Sequence, residues 1–232
     1  MDERYYKEFA VAAIRGRLMR TGKTALLPAD LAQKPLDMLT DDECEAILAL
    51  AAAEGMKIYD FKRTHRDLPR VRRVLGFLHG TGLSSLLDVG SGRGVFLFPL
   101  LDEFPEIRVT AVDILPARLE MLSDVALGGV FRLSVRAGDI TRLDFAERYD
   151  VVTLLEVLEH IEDYRGAIRA AVRAAARYVV VSVPSHPDDN PEHIHLLTKE
   201  LLTAAFTAEG VTRLSFQGVS GHLILIASIG DE

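Results

Sequence analysis

One short segment constrains what this chain can fold into more than any other. An apolar run from Leu86 to Val89 leads into three glycines at alternate positions, Gly90, Gly92 and Gly94, and a stretch of helical character follows. Glycine permits a tight turn and lets a ligand approach the backbone closely. In open α/β sheets, ligands bind at the carboxyl ends of the strands. The segment therefore predicts a strand, a ligand-binding loop and a helix, in that order.

The spacing of this glycine loop also limits its ligand. A dinucleotide-binding fingerprint would place a glycine at position 95, where this chain has Val95. Asp88, at the end of the predicted strand, adds a carboxylate that would repel a pyrophosphate but suits a cation. The loop is therefore not expected to bind a dinucleotide.

Short apolar runs alternate with amphipathic stretches from about residue 84 onward, and this alternation predicts the fold class. Strands separated by helices form a mainly parallel sheet covered on both faces. We predict strands at 83–89, 107–112, 131–135, 151–155, 178–183, 211–216 and 222–227, and helices at 94–103, 116–126, 164–176 and from Thr198 to Gly210. The last two strands have no helix between them, which predicts one reversed strand near the C-terminus. The fold class is therefore α/β: a doubly wound, Rossmann-like, mostly parallel seven-stranded sheet.

The first part of the chain is predicted to be helical. Thr40 and Glu43 form a capping box, in which the two side chains satisfy free backbone amides reciprocally. They begin a helix that Gly55 ends. A second helix is predicted at 4–20, and the proline-containing stretch 21–39 is predicted to be a loop.

Composition places the chain among globular proteins. With 49% hydrophobic and 26% charged residues over 232 positions, it fits a main domain at 84–232 and a helical extension at 1–83 that packs on it. The net charge of −7 argues against general electrostatic binding to nucleic acid. Cys44 is the only cysteine, so no intrachain disulfide can form and a cytoplasmic location is expected. We expect no membrane association, because the longest uncharged stretch, 214–230, contains polar residues and the first residues do not resemble a signal peptide.

Four segments, in order, resemble the class I S-adenosylmethionine-dependent methyltransferases. They are Asp88–Gly94, Val109–Ile114, Ala137–Ile140 and Tyr149–Leu155. The resemblance implies S-adenosylmethionine as the cofactor and S-adenosylhomocysteine as its product. It implies the following cofactor-binding residues: Asp88, Gly90, Gly92, Gly94, Asp113, Ile114, Asp139, Ile140 and Glu156.

Two of these acidic residues have specific roles in the resemblance. Asp113 would accept hydrogen bonds from the two ribose hydroxyls, and Asp139 would face the adenine amine. Two alternatives stay open, in which Asp113 only caps the following helix and Asp139 only stabilises a Gly-Asp turn.

An acid–histidine cluster follows the fourth predicted strand. Glu156, Glu159 and His160 stand at positions i, i+3 and i+4, so one helical turn would place them on one face at the carboxyl end of the sheet. His193 lies in a long, proline-containing loop after the fifth strand, on the same side. The predicted catalytic residues are therefore Glu156, His160 and His193.

Three interpretations of this cluster stay open. In the first, Glu156, Glu159, His160 and His193 bind a divalent metal ion, as a resemblance to the small-RNA 3′-end 2′-O-methyltransferases implies. In the second, which resembles the ubiquinone-pathway O-methyltransferases, Glu156 orients cofactor or substrate and one histidine is a general base. In the third, His160 packs under the loop and Glu159 caps a helix. We favour the second over the first, because the aromatic signature of the RNA enzymes is absent here, so a divalent metal ion is the less favoured cofactor.

A basic segment precedes the glycine loop. Six of the twelve residues in 62–73 are Lys or Arg, against the negative charge of the chain. Arg70 and Arg73, three apart on a predicted helix, are the predicted substrate-binding residues, with bidentate contacts to a phosphate or carboxylate of the acceptor. The alternative is a solvated helix surface.

Together these features predict a methyltransferase that acts on an oxygen or nitrogen of a small metabolite, in its more specific form an anionic one. The cofactor supplies an electrophilic methyl group, so the protein has to align donor and acceptor and remove a proton. An RNA or protein methyltransferase is the alternative enzyme, and a non-catalytic cofactor-binding module is the alternative of another class. The first 60 residues are expected to build part of the acceptor pocket or a contact between two copies of the chain.

Overall fold

A seven-stranded sheet organises the chain, which the computed structural model describes at residues 5–53, 55 and 59–230. Its strands are β1 Ser85–Val89, β2 Arg108–Asp113, β3 Leu133–Ala137, β4 Tyr149–Leu155, β5 Ala175–Pro184, β6 Leu214–Val219 and β7 His222–Ser228. The α-helices are α1 Lys7–Arg20, α2 Ala29–Gln33, α3 Asp41–Ala53, α4 Pro69–His79, α5 Leu97–Glu103, α6 Pro116–Leu127, α7 Tyr164–Ala174 and α8 Lys199–Ala208. No helix among these described residues is long and apolar enough to cross a membrane.

The order of the strands confirms the predicted fold class. The sheet runs β3-β2-β1-β4-β5-β7-β6. Strands β1 to β5 are parallel, and β7 runs antiparallel to both of its neighbours, β5 and β6. The strand order changes direction between β1 and β4, and open α/β sheets bind their ligands at that point, beyond the carboxyl ends of the strands. The fold therefore places the binding crevice where the glycine loop leaves β1.

The stretch 21–39 is not a loop throughout, and this prediction is wrong for its middle part. Helix α2 follows Pro28 directly, ends before Pro35 and buries Leu31. Proline is tolerated at the start of a helix, so these prolines mark the ends of a short helix and do not exclude one.

Strand β6 begins at Leu214, three residues later than predicted. The backbone N–H of Val211 donates to the carbonyl of Phe206 at 3.0 Å, so residue 211 still belongs to the closure of α8. Val211, a β-branched residue after Gly210, therefore belongs to the end of helix α8 and not to the start of strand β6.

The helix starts of the N-terminal part agree with the sequence patterns. The N–H of Thr40 donates to Oε2 of Glu43 at 2.8 Å, and the N–H of Glu43 donates to Oγ1 of Thr40 at 3.3 Å. This reciprocal pair confirms the capping box of α3. Helix α1 corresponds to the predicted helix 4–20, whose first residue lies outside the described residues.

Aromatic side chains join the N-terminal part to the main sheet. The ring of Phe98 in α5 lies 5.5 Å from that of Phe9 and 4.8 Å from that of Phe61, measured between ring centroids. All three side chains are buried in one hydrophobic core. Since α5 follows the glycine loop, residues before the sheet support the element that carries the loop. The division at residue 84 stays a prediction.

Helices α1 and α6 lie unusually close together. A Cβ atom added to Gly16 of α1 would lie 1.9 Å from the carbonyl oxygen of Asp124, and one added to Gly128 would lie 1.8 Å from that of Ala12. Arg20 and Asp124 form an ion pair at 2.7 Å across the same contact. Only glycine fits at these two positions, because the two helix backbones lie too close together for a Cβ atom between them.

Candidate active site

The glycine loop has the conformation that its sequence predicts. Gly90, Gly92 and Gly94 have φ angles of 69°, 54° and 75°, in the left-handed region that favours glycine. A Cβ atom at Gly94 would lie 2.3 Å from the ring of Phe98, and one at Gly90 would lie 2.5 Å from Cγ2 of Val157. At Gly92 the nearest atom would be a carbonyl oxygen 3.7 Å away. The loop is therefore packed at both ends and open at its centre, where a ligand can approach the backbone.

Asp88 places a carboxylate under this loop. Its side chain is buried, and Oδ1 accepts a hydrogen bond from Oγ1 of Thr153 at 2.7 Å. Oδ2 has no partner among the described residues. Burial raises the pKa of Asp88 to about 6, and the negative charge of Asp113 adds to the effect. A buried carboxylate oxygen without a partner suits a cationic group of a ligand.

The second strand ends in Asp113, which is already engaged in the structure. Its Oδ2 accepts from the N–H of Gly92 at 2.8 Å, and its Oδ1 accepts from the N–H of Leu115 at 2.9 Å. The second of these bonds is the helix-side contact of the alternative interpretation. Each carboxylate oxygen can accept more than one hydrogen bond, so both oxygens of Asp113 keep acceptor capacity for ribose hydroxyls. The adjacent Ile114 is 66% exposed and free to contact a flat ligand.

The third strand leads into a turn at Asp139. Its Oδ1 accepts from both the N–H and the Oγ1 of Thr141, at 2.9 and 2.8 Å. This is the turn of the alternative interpretation. Ile140 is buried in the core and does not face solvent.

Three side chains of the acid–histidine cluster meet in the structure. Glu159, His160 and His193 each offer a ligand atom, and these atoms lie within 4.8 Å of one another. Glu159 is fully buried, and neither of its carboxylate oxygens has a hydrogen-bond partner among the described residues. Burial, with smaller contributions from the charges of Glu156 and Asp188, raises the pKa of Glu159 to about 8. The interpretation of Glu159 as a helix cap is therefore wrong.

Both histidines are oriented by a second group. Nδ1 of His160 lies 2.9 Å from the carbonyl oxygen of Glu192, and Nδ1 of His193 lies 2.8 Å from Oδ2 of Asp188. A proton on Nδ1 would serve both contacts and leave Nε2 of each ring as an acceptor. His160 is exposed, so it is not packed under the loop as the third interpretation requires.

Glu156 does not join the other three, and the prediction of one shared helical turn is wrong. The short 3-10 helix begins only at Leu158, because Glu156 has a φ of 59° and breaks the turn. Its Oε1 accepts from Oγ of Ser182 at 2.7 Å, and its Oε2 lies 3.1 Å from Nε2 of His222.

Sequence reasoning missed His222. A signal was available, because the reversed strand β7 begins at the carboxyl edge of the parallel strands and His222 is its first residue.

The two predicted substrate-binding arginines, Arg70 and Arg73, have different surroundings in the structure. On α4, the guanidinium of Arg73 donates to the side-chain oxygen of Gln217 in β6. The positive charge of Arg70 opposes a small part of the rise in the pKa of Glu159, which is mainly due to burial. The inner face of α4, with Val71 and Leu75, is buried as predicted.

Part of the basic segment is neutralised by α5. Arg63 pairs with Asp102 at 3.7 Å, and Arg66 pairs with Glu103. These pairs hold the segment against the helix that follows the glycine loop.

Comparisons with known proteins agree on one fold. Residues 87–177 match the family described as "Methyltransferase domain". The chain is 34% identical over 88 residues to a ubiquinone biosynthesis O-methyltransferase of Rickettsia conorii, covering 38% of this chain and 30% of that protein. It is 28% identical over 202 residues to the protein of the same name in Bordetella avium, covering 84% and 78%. The chain thus spans less than a third of the Rickettsia conorii relative.

Solved structures show the same fold at low identity. The methyltransferase domain of bacterial CtHen1-C has a TM-score of 0.59 at 19% identity, covering 70% of this chain and 98% of that one. An O-methyltransferase family protein of Burkholderia thailandensis has a TM-score of 0.58 at 14% identity, covering 95% and 72%. Magnesium protoporphyrin IX methyltransferase of Synechocystis PCC 6803, with bound S-adenosylmethionine, has a TM-score of 0.53 at 20% identity, covering 69% and 78%.

Proposed function

Because the chain belongs to the class I S-adenosylmethionine-dependent methyltransferase superfamily, we propose that it transfers a methyl group from S-adenosylmethionine to an oxygen of a small molecule. One observation carries the proposal: an open glycine loop and an acid–histidine cluster around the buried Glu159 share the carboxyl edge of one sheet. Oxygen is favoured over nitrogen because the relatives are named O-methyltransferases. The proposal includes a cytoplasmic location, which the lone Cys44 supports.

The residues around the glycine loop fit this cofactor. The open backbone at Gly92 accommodates its methionine part, and the free Oδ2 of Asp88 suits the ammonium group. Asp113 is assigned to the ribose hydroxyls and Asp139 to the adenine amine. Exposed Ile114 would contact the adenine ring, while buried Ile140 supports the site through packing.

On the acceptor side we propose that Glu159, His160 and His193 hold a divalent metal ion. The support is that three donors converge, that the carboxylate has no other partner, and that both Nδ1 atoms are held elsewhere. Metal-binding histidines commonly have their second ring nitrogen fixed by a carbonyl or carboxylate. Two imidazoles and one carboxylate suit manganese or zinc better than magnesium. A metal ion held there would lower the pKa of a substrate hydroxyl.

A metal titration tests this assignment without any acceptor. We expect Mn²⁺ to bind the purified protein in a calorimetric titration and Glu159→Gln to weaken that binding by about tenfold or more. The matched control is Glu162→Gln, an exposed carboxylate nearby outside the cluster. Equal Mn²⁺ affinity in all three proteins would return His160 or His193 to the role of general base, the metal-free alternative.

The acceptor is proposed to be a small molecule that carries an anionic group. Arg70 supports the anion, because its charge acts at the cluster and the structure gives it no hydrogen-bond partner among the described residues. RNA is the second candidate, favoured by the proposed metal cluster. The net charge of −7 and the internal pairing of Arg63 and Arg66 oppose it.

The test is to incubate the protein with methyl-labelled S-adenosylmethionine and a cell extract, and to separate the label by size and nuclease sensitivity. We expect label in the small-molecule fraction. Label in nuclease-sensitive material would favour RNA, and label in protein would favour a protein acceptor. Tight cofactor binding without any transfer would favour a non-catalytic module.

A further inference from the structure

We propose that His222 is a positioning residue of the methyl-transfer site, which holds the carboxylate of Glu156 between the glycine loop and the Glu159–His160–His193 cluster. The proposal rests on the proposed function, since it assigns Glu156 to the same site.

Backbone strain is concentrated in this network. Among the described residues, the non-glycine residues with positive φ are Glu156 at 59° and Ser220 at 39°. A non-glycine residue in this region is strained and persists only where its surroundings enforce that conformation. Both strained residues contact the same imidazole, that of His222. Such strain is typical of sites where a side chain has to be held in one place.

Glu156 is held from two neighbouring strands. Its N–H donates to the carbonyl of Ser182 in β5 at 2.9 Å, and its Oε1 accepts from the hydroxyl of the same residue at 2.7 Å. Ser182 is fully buried, so this anchor is rigid. The other oxygen, Oε2, lies 3.1 Å from Nε2 of His222 in β7.

His222 is itself fixed by the β6–β7 turn. Its Nδ1 lies 3.0 Å from the carbonyl oxygen of Ser220. The turn is tied to the end of β5, because the N–H of Ser185 donates to the carbonyl of Gly221 at 2.9 Å. The imidazole therefore has a defined orientation on both sides, set by the C-terminal hairpin.

The carboxylate held in this way lies between the two halves of the site. Val157, the next residue, fills the space against Gly90 of the glycine loop. On its other side, Val157 leads directly into the 3-10 helix Leu158–His160, which carries Glu159 and His160 of the cluster. The side chains of Glu156 and His222 are 23% and 24% exposed, so the pair remains accessible to a bound molecule. A carboxylate fixed there can orient cofactor and acceptor relative to each other.

Three variants test the proposal through the rate of label transfer to the small-molecule fraction of a cell extract. We expect His222→Leu to lower the rate by about tenfold or more, because a misplaced group near the reacting atoms has effects of that size or larger. His222→Gln should recover most of the rate, because its amide can donate to Glu156. Gly218→Ala, in β6 of the same hairpin and with open space around the added Cβ, is the control and should retain the rate.

Either of two results would overturn the proposal: a wild-type rate in His222→Leu, or a His222→Gln variant as slow as His222→Leu. If His222→Leu does not fold, Ser182→Ala removes the other anchor of Glu156 and should lower the rate in its place, and an unchanged rate would count against the proposal. If the wild-type protein itself transfers no label, the proposed function fails. Crystal structures with S-adenosylhomocysteine then decide, because the carboxylate of Glu156 should move in His222→Leu, and an unmoved carboxylate overturns the proposal.

Discussion

Asp88 is an ionisable residue whose carboxyl group the fold buries beneath the glycine loop. Its pKa is raised from 3.8 to about 6 by burial, with Asp113 as the charged neighbour that adds to the shift. The folded protein therefore keeps this proton to a higher pH than the unfolded chain does. Stability is lost as the pH rises between these two values, since the charged form is disfavoured only in the folded state.

Replacing this carboxylate should separate stability from binding. We expect Asp88→Asn to raise the free energy of unfolding at pH 7.5 by about 1–3 kcal/mol, because the buried charge is removed. The gain should disappear near pH 4, where the folded wild-type carboxyl is neutral. The same variant should bind S-adenosylmethionine more weakly. Urea unfolding at both pH values and a calorimetric titration check the two expectations, and an Asn variant less stable at pH 7.5 would contradict the first.

The two arginines of α4 make a matched pair. We expect Arg70→Ala to raise the acceptor concentration needed for half-maximal label transfer by about tenfold, because a charge-assisted contact is worth roughly 1.5–3 kcal/mol. Arg73→Ala should leave it within about twofold, since Arg73 contacts Gln217. Measuring the rate of label transfer against acceptor concentration for both variants tests this expectation. Equal effects would show that neither residue recognises the acceptor selectively.

For single residues, the sequence predicts those features that depend only on neighbouring positions in the chain. The glycines of the loop follow from their spacing, and the Thr40–Glu43 box follows from its own pattern. The conformation of Glu156 does not, because Ser182 and His222 impose it from positions far along the chain. The helical spacing i, i+3 and i+4 therefore gave the wrong position for Glu156, because tertiary contacts determine its backbone conformation.

Among the elements, the contact between α1 and α6 makes the sharpest prediction. Gly16→Ala should lower the free energy of unfolding by about 2–4 kcal/mol, because the added Cβ would lie 1.9 Å from the carbonyl oxygen of Asp124. Gly76→Ala is the control: it lies inside α4 with no atom within 4 Å of the added Cβ. That change should stabilise the protein by about 0.5–1 kcal/mol. Urea unfolding of both variants tests this, and equal effects would contradict the close approach of the helices.

The order and type of the main elements could be predicted because each has its own periodicity and its own boundary signal. The errors occurred where the local signal was ambiguous. Pro28 and Pro35 flank a short helix instead of a loop, and Val211 closes α8 instead of opening β6. The reversed strand was predictable from the missing helix, but its place between β5 and β6 was not, since pairing partners are set by the whole sheet.

For the molecule as a whole, the fold places the glycine loop and the Glu159–His160–His193 cluster along the same edge of the sheet. The glycine loop lies after β1, and the cluster is built from the segments that follow β4 and β5. Residues of the N-terminal part support the loop, because the rings of Phe9 and Phe61 pack against Phe98 behind it. The role of the first 60 residues, as part of the acceptor pocket or as a contact between two copies of the chain, stays a prediction.

The most direct measurement is the initial rate of label transfer from methyl-labelled S-adenosylmethionine to the small-molecule fraction of a cell extract, taken before chelation, after dialysis against a chelator, and after Mn²⁺ is returned. If methyl transfer occurs at a metal held by Glu159, His160 and His193, the rate should fall by about tenfold or more on chelation and recover with Mn²⁺. A rate that chelation leaves unchanged would contradict the metal assignment, and an absence of label in small molecules at every step would contradict the proposed reaction.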